Sequence, residues 1–166
     1  MRTLKRGSVR VLVDVVREPT TMPGAFGGKA LRNAREAARL FYAYRESKHI
    51  PENKEAFLCL HLNGKHEPIS IDLVSLGSLQ ASIVHPREVF RPAIAIGAAQ
   101  IVICHNHPSG NPDPSSEDDD VTNRLKKAGR LLGIPMLDHI ILGNNRFYTF
   151  AEERQLLMSI GGIDEG

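Results

Sequence analysis

The sequence predicts a domain of mixed α and β structure, α/β or α+β, in which a mixed β-sheet is flanked by helices. Three observations carry the prediction. Two strand-like runs in EAFLCLHLNGKHEPISIDLV meet at Asn63-Gly64, the strongest short hairpin signal, so antiparallel neighbours are expected early. The wholly apolar run IVICH, residues 101–105, has the character of a buried central strand. Strand-like and helix-like segments alternate from there onward, as a parallel crossover requires.

In order, residues 1–27 hold one strand candidate, VRVLVDVV, and a loop rich in Pro and Gly, EPTTMPGAFGG. Residues 28–48, GKALRNAREAARLFYAYRESK, read as an amphipathic helix. Leu31, Ala34, Ala38, Phe41 and Tyr42 form its apolar stripe, and Arg32, Arg35 and Arg39 share another face. His49-Ile50-Pro51 ends it. After the hairpin, SLGSLQAS is a connector, and HPREVFRPAIAIGAAQ is a helix opening at Pro86, with Pro92 as a restart or kink. SSEDDDVTNRLKKAGRLLG is a well-marked helix: a Ser cap, acids in the first turn, Val121, Leu125, Ala128 and Leu132 on one face, and Gly133 as the stop. IPMLDHIILG and RFYTF read as strands, and AEERQLLMSI as a closing helix. The expected organisation is a basic N-terminal segment, 1–50, carrying the amphipathic helix, followed by one sheet domain, 51–166.

At 166 residues the chain can bury a sizeable core, and 42% hydrophobic with 24% charged residues excludes the disordered and collagen-like classes. No apolar run approaches the roughly 18 residues of a membrane span, and Asp14 interrupts VLVDVV, so that run does not read as a signal peptide. Cys59 and Cys104 each lie in an apolar strand-like run, which suits reduced, buried thiols in a cytoplasmic protein. The net charge of +2 conceals an asymmetry: residues 1–50 hold eleven Lys/Arg against four Asp/Glu. Arg32, Arg35 and Arg39 are thereby candidates to touch DNA, beside the simpler reading of a solvated charged face.

The stretch ICHNHPSGNPDPSSEDDDV is where chemistry concentrates. His105 and His107 stand two apart at the end of a strand, which puts both imidazoles on one face. A proline-stiffened return leads to a helix offering Asp118, Asp119 and Asp120. Two neutral imidazoles and one carboxylate, with a fourth position left to water, make an open catalytic zinc arrangement. Ser115-x-x-Asp118 is equally close to a capping box, which needs no metal. Asp119 and Asp120 read as acids favoured at a helix start.

The run His-x-His, seven residues, Ser, two residues, Asp is met by His105, His107, Ser115 and Asp118, and it resembles the JAMM (MPN+) metallohydrolase motif. The longer words VHPREVFRPAI, HNHPSGNPDPSSED and LDHIILG are similar to one branch of it, the bacterial RadC-like JAB-domain proteins. The resemblance covers roughly residues 52–155 and implies a JAB/MPN, cytidine-deaminase-like α/β fold. It implies Zn²⁺ held by His105, His107 and Asp118, with Glu55 as general base and then general acid, and Ser115 stabilising the oxyanion. The implied activity is that of a metallopeptidase or isopeptidase acting on a peptide or isopeptide substrate. RadC-like proteins usually carry helix-hairpin-helix DNA-binding segments ahead of this domain. About fifty residues precede Glu55 here, with only a faint glycine-hairpin likeness in MPGAFGGKA.

Two other functions stay open on the sequence. The same water activation serves a metal-dependent nuclease or phosphodiesterase, and a DNA-associated module of the DNA-repair kind would use the basic segment without catalysis. Asp138-His139 is a candidate to support a metal ligand by hydrogen bonding. His85, Arg87 and Glu88 read as a helix start, and His49, His61 and His66 have no motif partners.

Overall fold

The computed structural model describes residues 29–77 and 84–157. Six strands form one mixed sheet: β1 (Glu55–Leu62), β2 (Pro68–Gly77), β3 (Gln100–Asn106), β4 (Met136–Leu142), β5 (Arg146–Thr149) and β6 (Arg154–Leu157), in the order β2-β1-β3-β4-β5-β6. Only β3 and β4 run parallel, and helix α3 (Ser116–Leu132) joins them. The other neighbours are antiparallel. This is the α/β mixed sheet expected, with α1 (Ala34–Ser47) and α2 (Pro86–Ala95) completing the helices.

Alternation along the strands separates two cores. Leu58, Leu60 and Leu62 of β1, Val102 and Cys104 of β3, and Ile140 and Leu142 of β4 pack with Phe41, Leu40 and Tyr44 of α1. Phe57, Cys59, Ile101 and Ile103 face the other way, to Val89 and Phe90 of α2 and Val121 and Leu125 of α3. Both cysteines are buried and free. Each fully buried aliphatic side chain contributes about 1.5–3 kcal/mol of transfer free energy.

Helix α1 starts later than its periodicity implies. Asn33 is the cap, accepting from Glu36 N at 3.0 Å. Arg32 therefore precedes the helix and pairs with Glu36, Nη2 to Oε1 at 2.7 Å. The buried stripe runs through Ala37, Leu40 and Tyr44 besides the expected Ala38 and Phe41. In α2, Pro86 occupies the first turn behind the cap His85, and Pro92 sits inside a helix that continues to Ala95. The hairpin turn is longer than Asn63-Gly64 alone: Asn63 N donates to Glu67 O at 3.0 Å, and His66 takes φ 62°.

The C-terminal expectation is corrected. Arg154–Leu157, within the segment read as a helix, is strand β6, paired antiparallel to β5 from Arg146↔Leu157 to Thr149↔Arg154. The edge of β5 offers hydrogen-bond partners that override the helical leaning of AEERQLL. The VRVLVDVV strand candidate, most of MPGAFGGKA and part of the SLGSLQAS connector lie outside the described residues.

Candidate metal centre

Strand β3 ends where the cleft begins. Parallel pairing carries it along β4 as far as Asn106↔Leu142, and His107 N then donates to Leu142 O at 2.9 Å, extending the strand direction by one residue. His105 and His107 thus share the side of the sheet that faces α3. The return loop is folded onto the β4–β5 turn. Gly143 is required there, since a Cβ would lie 2.5 Å from Gly110 O, and Asn144 N donates to that same oxygen at 2.9 Å. Gly110 itself has φ 82°, a left-handed conformation suited to glycine.

The loop delivers Ser115 as the cap of α3 with a complete capping box. Asp118 N donates to Ser115 Oγ at 3.2 Å, and Ser115 N donates to Asp118 Oδ2 at 2.8 Å. The Ser115 hydroxyl also donates to Oδ2, at 2.7 Å. The capping and ligand readings of Asp118 are therefore compatible: one carboxylate closes the box and faces the histidines. Its Oδ1 lies 3.0 Å from His105 Nε2 and its Oδ2 lies 3.4 Å from His107 Nε2. The two Nε2 atoms are 2.9 Å apart.

Glu55 arrives from the neighbouring strand. Antiparallel pairing of Phe57 with His105 places Glu55 two residues further, beside the continuing β3 chain. Asn106 fixes this end of β1, its Oδ1 accepting from Ala56 N at 2.9 Å and its Nδ2 donating to Lys54 O at 3.1 Å. Glu55 Oε1 lies 3.8 Å from His105 Nε2, and Glu55, His105 and His107 each present a ligating atom within 4.8 Å of the others.

These separations fit one cation. With metal–donor bonds of about 2.0–2.1 Å, a tetrahedral site has donor–donor edges of about 3.3 Å. The edges among His105, His107 and Asp118 are 2.9, 3.0 and 3.4 Å, whereas Glu55 stands further off on the open side. Mixed nitrogen and oxygen donors suit zinc and its divalent neighbours. Without a metal, a proton is drawn into the same space. Burial pushes the His107 pKa down, but hydrogen bonding to Asp118 and Asn111 outweighs it and the net shift is upward. Burial likewise opposes ionisation of Asp118, yet contacts with His105 and His107 hold its carboxyl far below the usual carboxylate range.

Behind the donors lies a second polar row. His139 of β4 is fully buried, with Nε2 2.8 Å from His105 Nδ1 and Nδ1 2.6 Å from Thr122 Oγ1. Burial, then the neighbouring His105, holds the His139 pKa well below its ordinary value. Phe57 stacks on His105 and Phe150 on His139, restricting both rings. Asp138 does not reach a candidate ligand. It accepts from His139 N at 2.7 Å, Thr149 Oγ1 at 2.6 Å and Ala151 N at 2.9 Å, and burial raises its pKa despite these bonds.

The fold and this constellation agree with a family-level match: the RadC-like JAB domain model covers residues 31–156. The chain belongs to the RadC-like JAB-domain family. It is similar to a UPF0758 protein of Bacillus cereus (strain 03BB102), 40% identical over 170 residues, spanning 92% of this chain and 73% of the relative. A UPF0758 protein of Alkaliphilus metalliredigens is 54% identical over 103 residues, 62% of this chain and 44% of that protein. Another, from a second strain of Bacillus cereus, is 46% identical over 124 residues, 75% of this chain and 53% of its own length.

In this RadC-like JAB domain, the structure brings Glu55, His105, His107, Ser115 and Asp118 together and leaves the arginines apart. Arg35 and Arg39 ride on α1, which packs on the opposite face of the sheet from α3, and Arg32 is bound to Glu36. Cys104 points into the α1 core, away from the donors, as strand alternation requires. Thr122 and Asn106 escaped sequence reasoning. Thr122 is a polar position on the buried face of α3, beside Val121 and Leu125 and one turn after Asp118, and Asn106 stands between the two histidines. His61, without a motif partner in sequence, pairs with Asp72, Nε2 to Oδ2 at 2.8 Å. No helix among the described residues is long and apolar enough to cross a membrane.

Proposed function

We propose that the domain is a zinc-dependent hydrolase of amide bonds, a metallopeptidase or isopeptidase, with His105, His107 and Asp118 as metal ligands. The observation that carries this reading is the convergence of two Nε2 atoms and one carboxylate, with Glu55 poised 3.8 Å from His105 Nε2 at the mouth of a cleft of about 310 Å³. A bound divalent ion would lower the pKa of a coordinated water towards about 7 and polarise a carbonyl. Glu55 would take that water's proton as its oxygen adds to the carbonyl carbon, and would return it to the amine as the C–N bond breaks. Phe57 and Val121 supply an apolar wall for the substrate chain.

Ser115 has one hydroxyl proton, which it gives to Asp118 Oδ2. It can orient the carboxylate or meet a developing oxyanion, one at a time. Its oxyanion role therefore requires that proton to turn from Asp118 during the reaction.

The lining favours an amide over a phosphodiester. Glu55, Glu117 and Asp118 border the cleft, and no Lys or Arg is among its described lining residues. A bound divalent ion would offset two of these three charges, so a phosphodiester anion would find no cationic side chain there beside the ion itself. The test is metal content and cleavage of peptide, isopeptide and labelled DNA substrates, with Glu55→Gln alongside. Metal retained and amide hydrolysis reduced about 10²- to 10⁴-fold is the expected result. Full activity of Glu55→Gln, or cleavage of DNA alone, would refute the reading.

A further inference from the structure

His105 and His107 approach the centre with the same atom, Nε2, but their far nitrogens are held differently. His107 Nδ1 lies 2.9 Å from Asn111 O. A carbonyl can only accept, so the proton sits on Nδ1 and Nε2 keeps its lone pair. His105 Nδ1 faces His139 Nε2, and an imidazole neighbour can either donate or accept. Were His139 the donor, neutral His105 would carry its proton on Nε2, the wrong place for a metal ligand. Asp118 Oδ1, 3.0 Å from that Nε2, pulls the proton in the same direction when no metal is bound.

The next contact in the row decides the matter. The Thr122 hydroxyl donates to Asp118 O at 2.6 Å and lies 2.6 Å from His139 Nδ1. Threonine has a single hydroxyl proton. If that proton turned to His139, two oxygens would face each other at 2.6 Å with nothing between them. Thr122 Oγ1 therefore accepts from His139 Nδ1–H. His139 Nε2 is then bare and accepts from His105 Nδ1–H. His105, His139 and Thr122 are all buried, at 1%, 0% and 3% exposure, which gives the bonding pattern force in a medium of low polarity.

We propose that Thr122 and His139 are positioning residues that fix the proton of His105 on Nδ1 and so keep Nε2 open to a metal ion. The proposal rests on the metal-centre reading above. The row starts at the main chain of one candidate ligand, Asp118, and ends on the ring of another, His105. Helix α3 and strand β3 are thereby tied through β4, and Asp138 holds the His139 backbone from behind. Partners of this kind change metal affinity by about 10- to 100-fold when removed.

The experiment uses metal-free protein at a pH above the raised His107 value, where the proton otherwise drawn between the two Nε2 atoms has left, with proton positions read from nitrogen-15 correlation spectra of the rings. The wild type should show protons on Nδ1 of both His105 and His139. Thr122→Val removes the hydroxyl at nearly constant shape. It should move the His105 proton to Nε2 and weaken Co²⁺ binding about 10- to 100-fold, with an altered Co²⁺ absorption spectrum. Thr122→Ser should restore both, and together with the wild-type spectrum it decides the question if the valine variant does not fold. A wild-type His105 proton on Nε2, or a valine variant with unchanged spectra and affinity, overturns the proposal. Failure of the metal centre itself is distinct: the wild type then takes up no Co²⁺, and the proposal falls with it.

Discussion

On the α1 side of the sheet, strands β1, β3 and β4 present a mostly apolar face, with Cys104 in it and Asp138 at its border, closed over by Phe41, Leu40 and Tyr44. On the α3 side the same strands carry apolar Ile101, Ile103 and Cys59 and then His105 and His139, where Thr122 and Asp118 of α3 meet them. Cys104 and His105 are chain neighbours, yet one belongs wholly to packing and the other to chemistry. Two-residue alternation is enough to separate the tasks. The apolar face holds the strands in register, and the register sets donor positions that buried polar groups could not set alone.

Breaking the apolar side should produce the largest loss of stability. Phe41→Ala is expected to cost about 3–5 kcal/mol in denaturant unfolding, because it opens a cavity in a fully buried cluster. Metal affinity of the fraction still folded should stay within a few-fold of wild type. A large loss of affinity at constant stability would show that the two faces are not separable in this way.

Breaking the polar side should strike metal binding first, with a smaller loss of stability from the opened capping box. Asp118→Ala removes a donor, and metal binding measured by titration should weaken more than about 100-fold, beyond what supporting partners contribute. Unchanged affinity would exclude Asp118 as a ligand and favour the Glu55, His105, His107 set.

Acidification sharpens the contrast by a smaller step. The raised pKa of His107 means that the metal-free fold holds this proton more tightly than the unfolded chain does. That contribution to stability is complete below the unfolded value, about 6.5, and is lost as pH rises through the folded one. Metal binding has the opposite sign, since it must displace the proton. Apparent affinity should fall as pH drops through the folded value, by up to about tenfold per pH unit for one proton displaced. A flat affinity profile between about pH 8 and 6 would contradict proton competition at His107.

The centre is largely legible in the sequence because its parts are local. His105, His107, Ser115 and Asp118 lie within fourteen residues, and strand, loop and capping signals each have a short-range cause. Glu55 comes only through family resemblance; its place depends on β1–β3 pairing across fifty residues, which no local pattern shows. Thr122 is hidden for the same reason: its partner His139 is seventeen residues away on another strand. Periodicity draws the α1 stripe through Leu31, Ala34 and Tyr42, which are only partly buried, because it gives a face but not what will cover it. Strand β6 is missed for a related cause. Its helix-like composition is outvoted by the open edge of β5, a partner absent from the sequence window.

The pinning of β1 by Asn106 carries one more implication. The proposed base Glu55 and the candidate ligands His105 and His107 stand on adjacent strands, so the gap between them is governed by ladder spacing of about 4.8 Å and by one amide clamp. The last paired rung, Phe57 with His105, lies two residues from Glu55 and at the donors themselves. The reach from Glu55 to the two histidines is thus a property of the sheet and not of a loop, and Asn106 is the side chain whose loss should alter it.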